Sequence, residues 1–175
     1  MMSLTFAFWL LVLLFGVVGA MRGWAKELLV SFSVVLSLAF SRLLERYVPV
    51  VVDLPPDGEA LFWIRLTILI TLVFFGYQTV NIQRLAGKAA RERLQDTLLG
   101  FVLGAINGFL IFGTVWFDLD QAKYPFQYIT PPAPGTAMGD AAMALLQYMP
   151  PRMLGEPGIY FAVILAFIFV LVVFI

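Results

Sequence analysis

The residues of this sequence whose types and spacing could do chemistry are a few charged side chains at the edges of long apolar runs. Arg22, Glu27 and Asp96 are the first candidates. Two carboxylates and a guanidinium beside membrane spans could act together as a proton or ion relay. Because all three flank the apolar runs instead of lying within them, the sequence favours a simpler interpretation. They are expected to make contacts at a membrane boundary.

Other kinds of reactive site are excluded by composition. The chain has no cysteine and no histidine. This removes disulfides, thiolate chemistry, iron–sulfur ligation, the usual zinc sites and histidine-ligated haem. The sequence therefore predicts no catalytic, cofactor-binding or metal-ligating residue, no cofactor, and a protein that is not an enzyme.

The composition also indicates that this protein lies in a lipid bilayer. Of its 175 residues 62% are hydrophobic and 13% are charged, and the mean hydropathy is +0.95. Soluble domains average about half apolar and about a quarter charged. The formal net charge is zero, so nothing indicates a nucleic-acid partner. The expected partners are the lipid bilayer and either another membrane protein or further copies of this chain.

Five long apolar runs predict an all-α, polytopic transmembrane bundle of four core spans and an added C-terminal helix. The runs are Leu4–Ala20, Leu28–Val48, Phe62–Val80, Asp96–Phe117 and Gly158–Ile175. A spanning helix needs roughly 20 apolar residues. The first run is interpreted as a retained anchor and not a cleaved signal peptide, because its positive charges follow it and do not precede it.

The charged residues near these runs allow predictions of individual contacts. Arg42 and Glu45 are three residues apart and are expected to form a surface pair. Arg65 is expected to extend its long side chain to nearby headgroups, with a buried functional arginine as the alternative. Asp96 directly precedes Thr97 and is expected to cap the helix that begins there.

Small residues recur every four positions in two of the runs. Gly100, Gly104 and Gly108 form one stripe, and Ser33, Ser37 and Ser41 form another. On a helix such positions share a face and permit close approach of a second helix. The matched spacing predicts that the glycine face of the fourth run packs against the serine face of the second.

The segments between the runs are interpreted as loops. Pro49–Glu59 is a short one, Gln83–Gln95 is strongly basic, and 118–157 holds most of the prolines. Within the last, Thr136–Met149 is expected to form a short helix that lies on the bilayer or caps the bundle. Basic loops stay inside, so the prediction places the N-terminus outside and the basic segment 83–95 in the cytoplasm.

Two motifs resemble the colicin V production protein (CvpA) family. The stretch Gly19–Leu29, with Arg22, Gly23 and Glu27, is similar to the family's Arg-Gly-Phe-x-Arg-Glu segment, which opens its second helix. The stretch Asp96–Gly108 resembles the family signature of an aspartate followed by glycines at every fourth position. The resemblance covers about residues 5–150.

The sequence departs from the family pattern at three places. Lys26 stands where an arginine is frequent, Asn107 replaces the usual arginine before the last glycine, and the run 158–175 is an addition to the four-helix domain 1–157. The resemblance implies a bacterial inner-membrane protein that supports toxin production, secretion or envelope homeostasis through protein contacts. A structural subunit of a larger, for example energy-transducing, membrane complex is the alternative. A small transporter or channel is a third class.

Overall fold

The computed structural model describes residues 3–78 and 90–174, and these residues form helices, turns and loops without a strand. The helices, in chain order, are α1 (Leu4–Arg22), α2 (Trp24–Tyr47), α3 (Pro49–Val52), α4 (Glu59–Tyr77), α5 (Ala90–Gln121), α6 (Ala137–Leu146), α7 (Pro150–Met153) and α8 (Gly158–Phe174). Among the described residues α1, α2, α4 and α5 are long and apolar enough to cross a membrane. The predicted helical membrane bundle is confirmed. The fifth run does form the apolar helix α8, which is shorter than those four.

The first two helices form a hairpin around a single residue. Gly23 ends α1 and begins α2 at a φ of 86°, and its N–H donates to Gly19 O at 2.9 Å. A positive φ costs glycine little and strains other residues. The chain therefore reverses direction here without a loop, and the charged residues on either side of Gly23 remain close together.

The long helix α5 is the centre of the bundle. It contacts α1 along its length and also touches α2, α4, α6 and α7. Its 32 residues extend about 48 Å, which exceeds the roughly 30 Å of a bilayer core. The uncharged section 97–117 is about 31 Å long by the same rise per residue. Asn107 is the midpoint of that section.

The glycine stripe of α5 lies in the contact with α1. A Cβ atom at Gly104 would stand 2.8 Å from Gly19 Cα, and one at Gly108 would stand 2.9 Å from Val12 Cα. Gly100 faces Gly19 and Gly23 in the same way. Two backbones touch here, since no side chain separates them.

The predicted pairing of this stripe with the serines of α2 is therefore wrong. Ser33 packs against Gly76 of α4, where a Cβ would meet Ser33 Cβ at 2.9 Å. Ser37 is buried and donates to Val34 O at 2.7 Å. Ser33 thus serves the contact with α4, and the small-residue face that meets the glycine stripe of α5 comes from α1.

Apolar clusters fill the space between the helices. Phe8, Trp116 and Met149 belong to one cluster, which joins α1 and α5 to the segment around α6. A second cluster joins α2, α4 and α5 and consists of Val30, Val34, Leu69 and Ile111. The outer faces carry exposed Phe, Leu, Ile and Val side chains, as expected of a lipid-facing surface.

The connecting segments differ in detail from the prediction. The loop 49–59 contains the helical turn α3, and α5 continues to Gln121, so the proline-rich connection starts later than 118. The expected short helix is present as α6, and Thr136 caps it by accepting from Gly139 N–H at 3.0 Å. Ala142 and Leu146 of α6 are buried against the bundle. Of the two placements expected for this helix, the bundle cap fits its contacts.

Candidate functional site: two buried polar clusters

Two groups of polar side chains lie inside the apolar bundle. The hinge cluster, near the α1–α2 reversal, consists of Arg22, Glu27, Ser31, Tyr77 and Asn107. The end cluster, near the opposite end of α2, consists of Arg42, Glu45, Arg65 and Asp118. Each cluster combines side chains from at least three helices.

Glu27 is the centre of the hinge cluster. Its side chain has no exposed surface, and its carboxylate binds Arg22 of α1 at 2.5 Å and Asn107 Nδ2 of α5 at 2.8 Å. Asn107 Nδ2 also donates to Glu27 O at 2.8 Å, and Ser31 Oγ donates to Asn107 Oδ1 at 2.6 Å. A buried carboxylate is tolerated only with such partners. The side chain therefore ties three helices together.

Arg22 extends the cluster to α4. It donates to Tyr77 O at 3.2 Å, and its guanidinium lies 4.2 Å from the centre of the Tyr77 ring. A cation over an aromatic face at this distance is attracted by the ring quadrupole. The Tyr77 hydroxyl is buried and has no hydrogen-bond partner among the described residues. Arg22 thus joins the ends of α1, α2 and α4.

Asp96 caps a different helix from the one that was expected. It lies six positions beyond Ala90, the first residue of α5. Its Oδ1 accepts from Trp24 N–H, the first residue of α2, at 3.1 Å. A carboxylate at a helix N-terminus satisfies a free N–H and is favoured by the helix dipole. Gly23 permits this approach, since a Cβ there would stand 2.8 Å from an Asp96 oxygen.

The two family motifs, Gly19–Leu29 and Asp96–Gly108, therefore lie side by side in the folded chain. Gly23 of the first motif approaches Asp96 of the second, Glu27 binds Asn107 of the second, and Arg22 binds Glu27. Glu27 lies in the first turn of α2 and is fully buried, and its partner Asn107 is the midpoint of the uncharged section of α5.

Arg65 is the centre of the end cluster. Its Nε and Nη2 donate to the two carboxylate oxygens of Glu45 at 2.6 and 3.0 Å, and Nη1 lies 3.4 Å from Asp118 Oδ1. Its side chain is only 17% exposed. The expected extension to headgroups is wrong, and the alternative of a buried arginine fits the geometry. A guanidinium fork holds a carboxylate in two parallel bonds better than any other side chain.

The expected surface pair of Arg42 and Glu45 is also absent from this geometry. Glu45 faces Arg65 of α4, whereas Arg42 donates to Pro151 O of α7 at 3.0 Å. Beside them lies a cavity of about 30 Å³, bordered by Ser37, Ser41 and Asp118 among others. Its volume matches one water molecule, and its walls are polar enough to hold one.

The two clusters are separated along α2 and α5. From Ser31 to Arg42 and from Asn107 to Asp118 the chain advances eleven residues, about 16 Å in each helix. The apolar cluster that contains Val34 fills the interval. Positive and negative side chains are matched within each cluster, which keeps the electrostatic cost of burial low. In the described part of the chain no group of three or more acidic residues is arranged to hold a metal ion.

Sequence reasoning missed several of these residues. Ser31, Tyr77, Asn107 and Asp118 were not singled out as site residues. A buried polar contact was predictable for Asn107, since an amide at the centre of an apolar run needs a polar partner. Tyr77 and Asp118 carried none, because their partners come from helices distant in sequence. Of the basic segment, residues 83–89 lie outside the described residues.

The fold and the two clusters show the class of protein: a multi-pass helical membrane protein whose internal charges are paired between helices. The model of the colicin V production protein family matches residues 4–130. The chain belongs to this family, as its two motifs indicated. No curated protein and no solved structure was found to match it.

Proposed function

We propose that this chain is a non-enzymatic protein of the bacterial inner membrane that supports toxin production, secretion or envelope homeostasis by binding other membrane proteins. The observation that carries the proposal is the pairing of its internal charged side chains. Glu27 and Arg65 are each bound to side chains of two or more other residues. Groups held this firmly serve assembly of the bundle, and the outer apolar faces remain for lipid and protein partners.

The experiment that tests this proposal is purification of the full chain from its native membrane in mild detergent, followed by mass spectrometry of co-purifying proteins. Reproducible recovery of envelope or secretion proteins with the chain is the expected result. Stoichiometric recovery with one large complex supports the alternative of a structural subunit. Recovery of the chain alone, or of homo-oligomers alone, contradicts both.

The proposed orientation has the N-terminus outside and the basic segment 83–95 in the cytoplasm. The excess of Lys and Arg near the α1–α2 reversal and the start of α5 supports it. The absence of native cysteines makes a direct test simple. Tyr128→Cys, at a side chain that is 96% exposed, is expected to react with a membrane-impermeant maleimide added to the outer face of the membrane. Gln95→Cys is expected to react only after permeabilisation, and the reverse pattern contradicts the orientation.

A small transporter is a second candidate because Glu27 is buried beside the midpoint of α5. Ionisable side chains at this depth frequently mark ion or proton paths. Flux of protons or monovalent cations into proteoliposomes, lost in Glu27→Gln and retained in Glu59→Gln, supports this candidate. Glu59 is the matched control because it is exposed at the start of α4. Equal flux in the two variants and in protein-free vesicles excludes it.

A further inference from the structure

A long apolar groove lies between α2 and α8. Two adjoining cavities form it, of about 130 and 300 Å³, and Leu36 and Val163 border both. The two helices touch chiefly where Ile159 packs against Leu38 and Ala39. The groove is the space that their side chains leave between this contact and the ring pair of Phe32 and Phe169.

The groove has the length of one lipid chain. On α2 it runs from Phe32 to Leu43, which is eleven residues and about 16 Å. Half of a bilayer core is about 15 Å. The rings of Phe32 and Phe169, 6.2 Å apart, close the end that lies deepest in the apolar region. The groove thus ends about where an acyl chain of one leaflet ends.

The opposite end of the groove carries an exposed ion pair. Arg46 lies about one turn beyond Leu43 and binds Glu156 at 3.0 Å, with the two side chains 56% and 40% exposed. Glu156 also accepts from the Tyr160 hydroxyl at 2.9 Å, and Tyr160 borders the groove. Tyrosines are typical of the level of lipid headgroups. A guanidinium and a carboxylate side by side match a headgroup with a phosphate and an ammonium.

We propose that this groove is a binding site for one phospholipid of the phosphatidylethanolamine class. The acyl chain fills the space between α2 and α8. The phosphate contacts Arg46, whose guanidinium carries five N–H donors, and the ammonium contacts Glu156. Exposed bilayer surface alone does not select a headgroup, whereas a groove with a charged end does.

The test is native mass spectrometry of the full chain, purified in mild detergent and given equal amounts of phosphatidylethanolamine, phosphatidylglycerol and phosphatidylcholine vesicle lipid. One phosphatidylethanolamine is expected to remain bound per chain. Arg46→Gln is expected to weaken its retention about tenfold, the effect of one charge-assisted hydrogen bond. The control Arg93→Gln, at an exposed arginine in the first turn of the described α5, is expected to change nothing.

A second variant tests the contribution of the apolar groove independently of the headgroup contact. Ala166→Trp fills the groove at a residue that borders it and is expected to abolish retention. Ile70→Trp, on the exposed face of α4, is the matched control. If Ala166→Trp does not fold, a photoactivatable phosphatidylethanolamine is used with the wild-type chain, and cross-links are expected within 32–43 and 158–169. Equal retention of all three lipids, unaltered retention in Ala166→Trp, or cross-links spread over α1 and α4 would overturn the proposal.

Discussion

Substitution of Gly104 by alanine is the sharpest test of how the bundle is packed. The added Cβ would stand 2.8 Å from Gly19 Cα and 3.0 Å from Gly19 N. Ordinary van der Waals contact begins at 3.4 Å. The carbonyl oxygen of Phe15 lies closer still, and all three atoms belong to the backbone of α1 and cannot rotate away, so the two helices must separate by more than about 0.6 Å at this point.

The size of the effect follows from two opposing contributions. Overpacking of a well-packed contact costs about 1–3 kcal/mol, and the rigid backbone on both sides puts this site near 3 kcal/mol. Alanine gains up to about 1 kcal/mol over glycine in helix propensity. We therefore expect Gly104→Ala to lower the free energy of unfolding by about 2 kcal/mol, roughly thirtyfold in the folded-to-unfolded ratio. Gly104→Leu should cost more, since its side chain has no space at all.

The assay is equilibrium unfolding of the detergent-solubilised chain by a denaturing detergent, followed by circular dichroism. Gly158→Ala is the matched control, because nothing lies within 4 Å of a Cβ at that position. It should be neutral or slightly stabilising. Gly19→Ala and Gly104→Ala should be strongly non-additive, since either one already separates the helices. Stability of Gly104→Leu equal to that of the parent would refute the contact between α1 and α5.

Three further predictions use the same unfolding assay or a simple titration. Asp96→Ala should cost about 1 kcal/mol through loss of the cap on Trp24 N–H, and Asp96→Asn, which keeps an acceptor, should cost less; equal losses would contradict a capping role. Arg65→Ala leaves the buried Asp118 and the partly exposed Glu45 without their cation and should cost about 3 kcal/mol, whereas Arg46→Ala, at an exposed ion pair, should cost much less; similar losses would mean that the end cluster adds nothing. Burial raises the pKa of Tyr124 to about 12, above the ordinary value of about 10, so the folded chain holds the phenol proton more tightly. The resulting stability is present below about pH 10 and is lost as the pH rises towards 12; a tyrosinate absorbance titration in which Tyr124→Phe removes no late-titrating group would contradict it.

The helices were predictable from the sequence because their signals are local. Long apolar runs and the start of α6 at Thr136 depend on residues close together in the chain. The packing role of small residues every fourth position was also visible. The partner of the glycine face was not, because spacing shows that a face is smooth but not which helix meets it. Gly16 and Gly19 in α1 also form a small-residue face. The prediction chose the serine stripe because it is longer and its spacing matches that of the glycines.

Ion pairs were the least predictable part of the candidate site. Arg65 meets Glu45 from twenty residues before it and Asp118 from fifty-three residues after it. No local pattern connects these positions. The prediction for Asp96 failed for another reason, because the start of α5 was placed at the end of the charged segment, whereas the described helix begins at Ala90. A cap can be assigned only when the helix boundary is known.

The placement of charge along α2 explains why this helix needs two buried clusters. Between Glu27 and Arg42 it has only fourteen uncharged residues, about 21 Å, which is well short of a bilayer core. At least one of its charged ends must therefore lie at hydrocarbon depth. The cost is lowest where partners lie at fixed positions: Asn107 of α5 binds Glu27, and Arg65 of α4, which also binds Asp118 of α5, binds Glu45. Sliding α2 by one turn would break the contact of Glu27 with Asn107 and that of Glu45 with Arg65 together, so these pairs fix the register of α2 against α5 and α4, and the apolar surfaces alone would not.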